Sequence, residues 1–459
     1  MDIKISKILK YFFLLCLFFI PFDGEGIIAL GEFSSEAYIL FLLIFLGLYT
    51  LKFFLKPISI PFKSTEFQLL ILFIIVLIIS SLINLPYIYH SKVGPKTGFY
   101  KLATQFLVLL FFVFPVLIFF YNLFLEHQHK LIFSIRKVFV VTLYVVFAVG
   151  FLEVLYIFYR VPGTKDILNI VDEIPLIKLN LTPWDKRISS ITREPPSLGM
   201  FLITILPWLL VYKPKRNKIW LYFLPLVFIL FLSFYSGSRS GIFIIFLQLI
   251  AYFILVNTNK ISITKFKRLL QVSVIVILII PVGLFKLKDS EVIQDKIQSF
   301  SFVENYKQNT SNKTRLGTYV ASLETIKNQP TLGVGYGQAG FYILDDYPFW
   351  SYNDNREIER YRSGERFPPM FNIYLRVLVE SGFIGFFVFI LFITFLFYKS
   401  MLQYYNGNLQ FKKDNLIIIL SLIGYSLTWM QFDTFRVLGF WVFLSFYLYI
   451  QNRIKNEYY

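Results

Sequence analysis

The chain of 459 residues has one cysteine, Cys16, and three histidines, His90, His127 and His129. A lone thiol excludes an intramolecular disulfide and a cysteine-built metal centre. None of the histidines falls in the two longest polar stretches, residues 160–196 and 287–370. Charge is scarce as well: charged residues make up 16% of the chain, against about 25% in soluble globular proteins. That shortage excludes an ordinary water-soluble enzyme. Strand-like alternation is also missing, because the apolar runs are too long and too uniform for a membrane β-barrel.

What is present is apolar. Hydrophobic residues make up 56% of the chain, with 55 phenylalanines, and the mean hydropathy is +0.63. A hydrocarbon core about 30 Å thick needs roughly 20 helical residues. Such runs recur near residues 11–31, 37–55, 67–87, 103–123, 138–159, 197–212, 219–235, 241–257, 269–286, 371–397, 415–431 and 436–451. They predict an all-α polytopic membrane protein of about 12 transmembrane helices. The opening "MDIKISKILKYFFLLCLFFIPFDGEG" imitates a secretory signal but lacks a small-x-small cleavage site. It reads as a retained first helix, continuing through Leu30, with Asp23 and Glu25 near its outer end.

Charge sets the orientation. With the N-terminus in the cytoplasm, the short inside connectors, such as "YKPKRNK" and "NKISITKFKR", hold the excess of Lys and Arg, as the positive-inside rule requires. The outside segments are nearly balanced, and most of their basic residues sit in the two long loops, which translocate largely regardless of charge. Both termini are then cytoplasmic. The net charge of +17 is distributed connector by connector with no single basic face, which argues against nucleic acid as a partner. The chain divides into a five-span region (1–160), an outer loop (161–196), a four-span region (197–286), a large outer loop (287–370) and a three-span region (371–459).

Arginine recurs on the outer side. Arg239 is the only charged residue between Ile219 and Asn259, in "SGSRSG", where Gly237 and Gly241 suit a tight turn between two spans. Arg187 and Arg193 lie in "RISSITREPPSLGMF", Arg315 opens "RLGTYVASLETIKNQP", and Arg436 begins the last span. Arg376 is spaced i, i+4 from Glu380 and can pair with it. Guanidiniums bind phosphate oxygens bidentately and stay charged. The cluster therefore points either to a lipid-carrier diphosphate or to ordinary phospholipid headgroups.

Inside the large loop, "RLGTYVASLETIKNQP" predicts an amphipathic helix stopped by Pro330. Leu316, Val320, Leu323 and Ile326 form its apolar face, and Arg315, Thr318 and Ser322 its polar one. The following "GYGQAG" fits a dinucleotide fingerprint only by letter. It follows a helix and lies in no βαβ unit, leaving a backbone suited to close approach by a ligand or the membrane.

Four stretches, in this order, resemble the O-antigen ligase and polymerase superfamily: "REPPSLGMF", "SGSRSG", "TRLGTYVASLETIKNQPTLGVGYG" and "NIYLRVLVESGFIGFF". The family pattern is an SRSG-like turn, an Arg-led helix ending P-x-x-G-x-G-x-G, and then H-N-x-Y-L-x-x-x-x-E-x-G-x-x-G. Gly333, Gly335 and Gly337 supply the glycine run, and Asn372, Arg376, Glu380 and Gly382 fall in the last motif. The resemblance covers about residues 187–390. It implies a GT-C-like fold in the bacterial inner membrane, with a large helical extracytoplasmic loop and a site facing the periplasm. The implied substrate is an undecaprenyl-diphosphate-linked oligosaccharide drawn from the lipid bilayer, and a chain-length regulator is an implied partner. Ligases of the family place a histidine where this chain has Phe371. That departure favours the polymerase branch (Wzy-type), which builds O-antigen or another surface polysaccharide.

Polymerisation breaks an anomeric carbon–diphosphate bond and joins that carbon to a hydroxyl of the next unit. Preorganised guanidiniums stabilise the charge growing on the leaving group. Arg239 and Arg315 are the first candidates, Arg193 the third, with Arg187 and Arg436 as further diphosphate ligands. A carboxylate takes the acceptor's proton: Glu194, or else Asp433 or Asp354. Diphosphate leaves readily, so the chemistry requires neither a metal nor another cofactor. Asp345 and Asp346, adjacent in a loop, read as solvated carboxylates. Glu380, Gly382 and Gly385 read as structural, the glycines permitting close helix approach. Glu153, alone in the fifth span, is either neutral or paired with an outer arginine.

The nearest rival is the ligase, which hands a lipid-linked glycan to lipid A core or another acceptor. A polyprenyl-phosphate-sugar transferase, with Asp23 of "DGEG" binding a metal, is a second. A transporter is a third, for which the ionisable residues expected at mid-membrane and the half-repeat symmetry are missing.

Overall fold

Helices dominate the computed structural model, which describes residues 2–24, 36–54, 57–181, 186–211, 219–258 and 310–458. The expected span at 269–286 and the start of the large loop lie outside those residues. Among the described residues, four helical segments are long and apolar enough to cross a membrane: Thr65–Ile83, Gly98–Ile157, Arg239–Asn257 and Ile373–Asn406. Shorter apolar helices cover Tyr38–Phe53, Pro195–Val211 and Phe223–Ser236. The strands described are a two-residue antiparallel pair, Lys92–Val93 with Lys96–Thr97.

The first helix departs from expectation. It runs Asp2–Phe18 instead of 11–31, because Pro21 disfavours the helical region for the residue before it and the chain turns at residues 19–21. Two expected spans, 103–123 and 138–159, share the continuous segment Gly98–Ile157. A π-turn at Phe112–Val116 accommodates Pro115, which has no N–H to donate. Gln128 (φ 48°, ψ −138°) breaks the same segment further on.

The chain forms two compact units. One comprises Met1–Ile20, Tyr38–Val138 and Tyr306–Tyr459. In it the first helix packs on Tyr38–Phe53, with Phe13 edge-on to Phe120 at 4.8 Å between centroids. Thr65–Ile83 packs along Ile373–Asn406, which also packs on Leu409–Thr428. Glu66, 1% exposed, is accommodated there by Lys399 at 2.7 Å and the Tyr447 hydroxyl at 2.6 Å. A buried carboxylate needs such partners.

The other unit comprises Pro21–Ala37 and Phe139–Asn305. Pro195–Val211 packs against both Ile219–Ser236 and Arg239–Thr258. Gly199 and Gly241 let two of these helices cross closely: a Cβ on Gly199 would stand 3.4 Å from the Gly241 Cα. Phe147 stacks on Phe228 at 3.7 Å between centroids.

The loop helix forms, as Thr310–Asn328, and most of its buried positions are small polar ones, with Ile326 of the expected apolar face buried among them and Leu316 half-buried. Thr314, Thr318, Ala321, Ser322 and Thr325 are buried, while Val320 and Leu323 are 39% and 53% exposed. The hydroxyls satisfy themselves on their own helix, each donating to a carbonyl four residues back, so small polar side chains enter the interior without an unmet bond. Gly317 then admits Ser351 and Tyr347. Apolar periodicity alone does not locate these buried positions, because it gives no credit to self-satisfied Thr and Ser.

Candidate functional site

The predicted site residues fall in both units. In the first unit, the glycine run and the last motif form one joint. Ile373–Asn406 is broken at Gly382 (φ 62°, ψ −167°), a conformation restricted to glycine. A broken helix exposes carbonyls on one side and N–H groups on the other. The stretch Pro330–Gly335 meets both: Val334 and Gly335 donate to Val379 O and Glu380 O at 3.0 Å each, and Phe383 and Ile384 donate to Pro330 O and Thr331 O at 2.8 and 3.3 Å. The fit needs glycine on both sides of the joint. A Cβ on Gly333 would lie 2.3 Å from Val379 O, and one on Gly382 2.3 Å from Thr331 O.

Helix Thr65–Ile83 and Asn84 seal the joint from the side. Ser80 donates to Leu332 O and Glu380 O, and Asn84 donates to Gly333 O at 2.9 Å. Gly335 and Gly337 take φ of 99° and 78° against Ile88 and Gln105. The close backbone approach expected toward a ligand or the membrane is therefore made to the chain's own helices. Gly382 likewise does not serve helix approach; it is the break itself. Gly385 is the one that lies against a neighbouring helix, at Val76.

Above the joint, Arg376 is fully engaged. Its Nε donates to both Glu380 carboxylate oxygens at 3.1 Å, Nη1 to Asp433 O at 2.6 Å and Nη2 to Gln105 Oε1 at 2.8 Å. Its plane lies over Tyr336, 5.3 Å from the ring centroid. Asn372 caps the same helix, accepting from Tyr374 N and Leu375 N.

Phe371, with φ of 54°, presents its ring to the Arg315 guanidinium at 5.2 Å. Tyr319, one turn on from Arg315, donates to Met430 O at 3.2 Å. Burial pushes its hydroxyl pKa up, against the pull of Arg315 and the Asn372 side chain. Asp433 acts on the same hydroxyl, while its Oδ2 accepts from Met370 N at 2.6 Å. Arg315, Asn372 and Asp433 are thus brought together around Tyr319, which sequence reasoning missed although it lies i+4 from Arg315. Gln105 carried no signal, being 271 residues from its partner. Asp354 stands in an exposed turn with φ of 53°. Arg436 is half-buried and its N–H is capped by Thr434 Oγ1.

In the second unit, the "RISSITREPP" segment wraps the "SGSRSG" turn. Arg187 Nε donates to Ser236 O at 3.1 Å, and Gly237 (φ 62°) leaves room for that side chain, 3.1 Å from where a Cβ would be. Arg239 is half-buried at the first position of its helix. A cation there opposes the helix dipole, so helix stability does not account for it, whereas an anion would be welcome at that end.

Among the described residues, Glu153 meets no arginine. Its Oε2 accepts from Ser189 N at 3.1 Å and Ser190 N at 2.6 Å, holding Ser190 at φ of 54°. Asp23 does similar work: its N–H bonds Ile191 O and its Oδ2 accepts from Arg193 N at 3.2 Å. The side chains of Arg193 and Glu194 are exposed, and Glu194 O receives Ser197 N and Leu198 N at the start of Pro195–Val211. Among the described residues, no three His, Cys, Asp or Glu side chains gather as a metal site.

Residues 224–390 match the family model described as O-antigen ligase (Wzy_C). The match takes in the "SGSRSG" turn, the loop helix, the glycine run and the broken helix. Members of that family are membrane glycosyltransferase-like enzymes of surface-polysaccharide assembly. No protein of curated function matches the chain.

Proposed function

We propose, proceeding from the O-antigen ligase match over residues 224–390, that this chain polymerises undecaprenyl-diphosphate-linked oligosaccharide units at the outer face of a bacterial inner membrane. On this reading the fold is GT-C-like, with about 12 spans, cytoplasmic termini and the large loop outside. The carrying observation is the joint between Pro330–Gly335 and the break at Gly382. It accounts for the paired glycine motifs as one structure, and it sets Arg315 and Asn372 beside the head of a membrane helix.

Arg239 and Arg315 stabilise the departing diphosphate, with Arg193, Arg187 and Arg436 as further ligands of its oxygens. Glu194 takes the acceptor proton, with Asp433 or Asp354 in its place if the acceptor binds on the loop side. Phe371 under Arg315, where ligases carry an imidazole, favours polymerase over ligase. The family match itself is to the O-antigen ligases, which favours the ligase, and the two differ in product. The test is purified protein in detergent with a defined lipid-diphosphate oligosaccharide. A ladder of products from wild type, lost in Arg239→Ala and in Arg315→Ala, is the expected outcome. A single transfer to a non-carrier acceptor, without a ladder, replaces polymerase by ligase; transport without bond formation discards both.

A further inference from the structure

A cavity of about 530 Å³ opens in the first unit between the short helix Leu85–His90, the end of the loop helix and residues 341–346. Three separate stretches of chain build it, so it is a feature of the fold and not of one loop. Its lining includes Tyr87, Tyr342, His90, Asn328, Asp345 and Asp346. Among the described residues, no lysine or arginine lines it. Tyr87 is 64% exposed; burial pushes the Tyr342 hydroxyl pKa up, and the nearby Tyr87 hydroxyl adds to that shift. Asp346 is fixed: its Oδ2 accepts from Thr325 Oγ1 at 2.6 Å.

This chemistry differs from that of the arginine-bearing segments. Tyrosine faces suit the C–H face of a pyranose, since an aromatic ring offers apolar area with a polar edge. Carboxylates and an amide accept and donate at fixed angles, as adjacent sugar hydroxyls require. Phosphate or a uronic acid would meet two carboxylates without a compensating cation, and like charges at such range repel. We propose that this cavity is a saccharide subsite for neutral or amino sugars, excluding acidic ones. It rests on the glycan-transfer reading and adds to it a selectivity that the arginines do not provide.

Binding separates the two claims. The probes are N-acetylglucosamine trisaccharide (neutral), glucosamine disaccharide (cationic) and a hyaluronan tetrasaccharide (acidic), read by saturation-transfer NMR on the full chain in detergent. The first two are expected to bind, and the acidic probe to bind at least about tenfold more weakly, a difference of about 1.4 kcal/mol. Tyr87→Ala, at an exposed position that tolerates truncation, is expected to weaken binding about tenfold. Tyr342→Phe, which keeps the ring, is expected to retain it. Asp345→Asn with Asp346→Asn is expected to abolish the discrimination against the acidic probe. Equal binding of all three probes to wild type, binding insensitive to Tyr87→Ala, or no binding of any probe overturns the subsite. Saccharide binding by a preparation that never joins glycans leaves the subsite standing and overturns the glycosyltransferase reading.

Discussion

Glu153 and Glu380 are both buried in membrane helices and both hold a polar segment in place, yet by different means. Glu380 is matched by a charge, Arg376, four residues away on its own helix. Glu153 is matched by two peptide N–H groups 36 and 37 residues downstream, and its second oxygen has no hydrogen-bond partner among the described residues. The first arrangement closes a complete network around a helix break. The second ties down the middle of a loop, the one bearing Arg187 and Arg193, through one carboxylate oxygen, while Asp23 holds the same loop at Ile191 and Arg193. A guanidinium consumed by such a network serves as a strut. Arg315, whose guanidinium among the described residues meets the face of Phe371 and makes no hydrogen bond, keeps its donors for another oxygen, and that contrast separates candidate ligands from scaffolding.

The contrast can be broken at its strongest point first. Gly382→Val puts a branched side chain into a glycine-only conformation and against Thr331, an expected cost of about 2–6 kcal/mol. Loss of a monodisperse peak in size-exclusion chromatography is the expected readout, and a normally folded variant would mean that the joint is dispensable. Arg376→Met strands Glu380 beside the break, at a cost of about 3–5 kcal/mol. Adding Glu380→Leu should recover part of the lost melting temperature, because an unpaired buried charge is worse than none.

Arg315→Ala tests the other side of the distinction. Melting should stay near wild type while the rate of glycan joining falls about 10²- to 10³-fold; a fall in stability matching that in activity would make Arg315 another strut. The smallest effect sharpens the comparison of the two glutamates. Glu153→Leu should cost about 1–3 kcal/mol through unmet N–H groups. Glu153→Gln should change melting little, since an amide oxygen accepts the same bonds. Glu380→Gln, which discards the attraction of Arg376, should lose more than Glu153→Gln.

Local chemistry was legible where it ran through neighbours in sequence. The i, i+4 spacing named the Arg376–Glu380 pair, and hydropathy located the long apolar helices. Glycine spacing marked 333–337 and 382 as special without revealing that each exists for the other, because a backbone joint leaves no side-chain complement to read. The same limit hid the partners of Glu153 and Asp23, which are peptide groups and look alike at every position. The loop helix was found, but periodicity did not show that Thr and Ser share its buried positions with Ile326, since hydroxyls that bond their own carbonyls count as polar in any periodicity and as filler in a core. Proline explained the short first helix only after its place in the turn was known.

The break at Gly382 also bears on how the protein can be rebuilt. Until Pro330–Gly335 docks, Ile373–Asn406 lacks partners for Val379 O, Phe383 N and Ile384 N, and has Ser80 alone for Glu380 O, a serious handicap for a segment entering lipid. The docking segment precedes the helix in the chain, so it is synthesised in time to meet it. A chimera that imports a relative's loop without the matching stretch of helix would inherit a lock cut for another key, and the two pieces should be transplanted together.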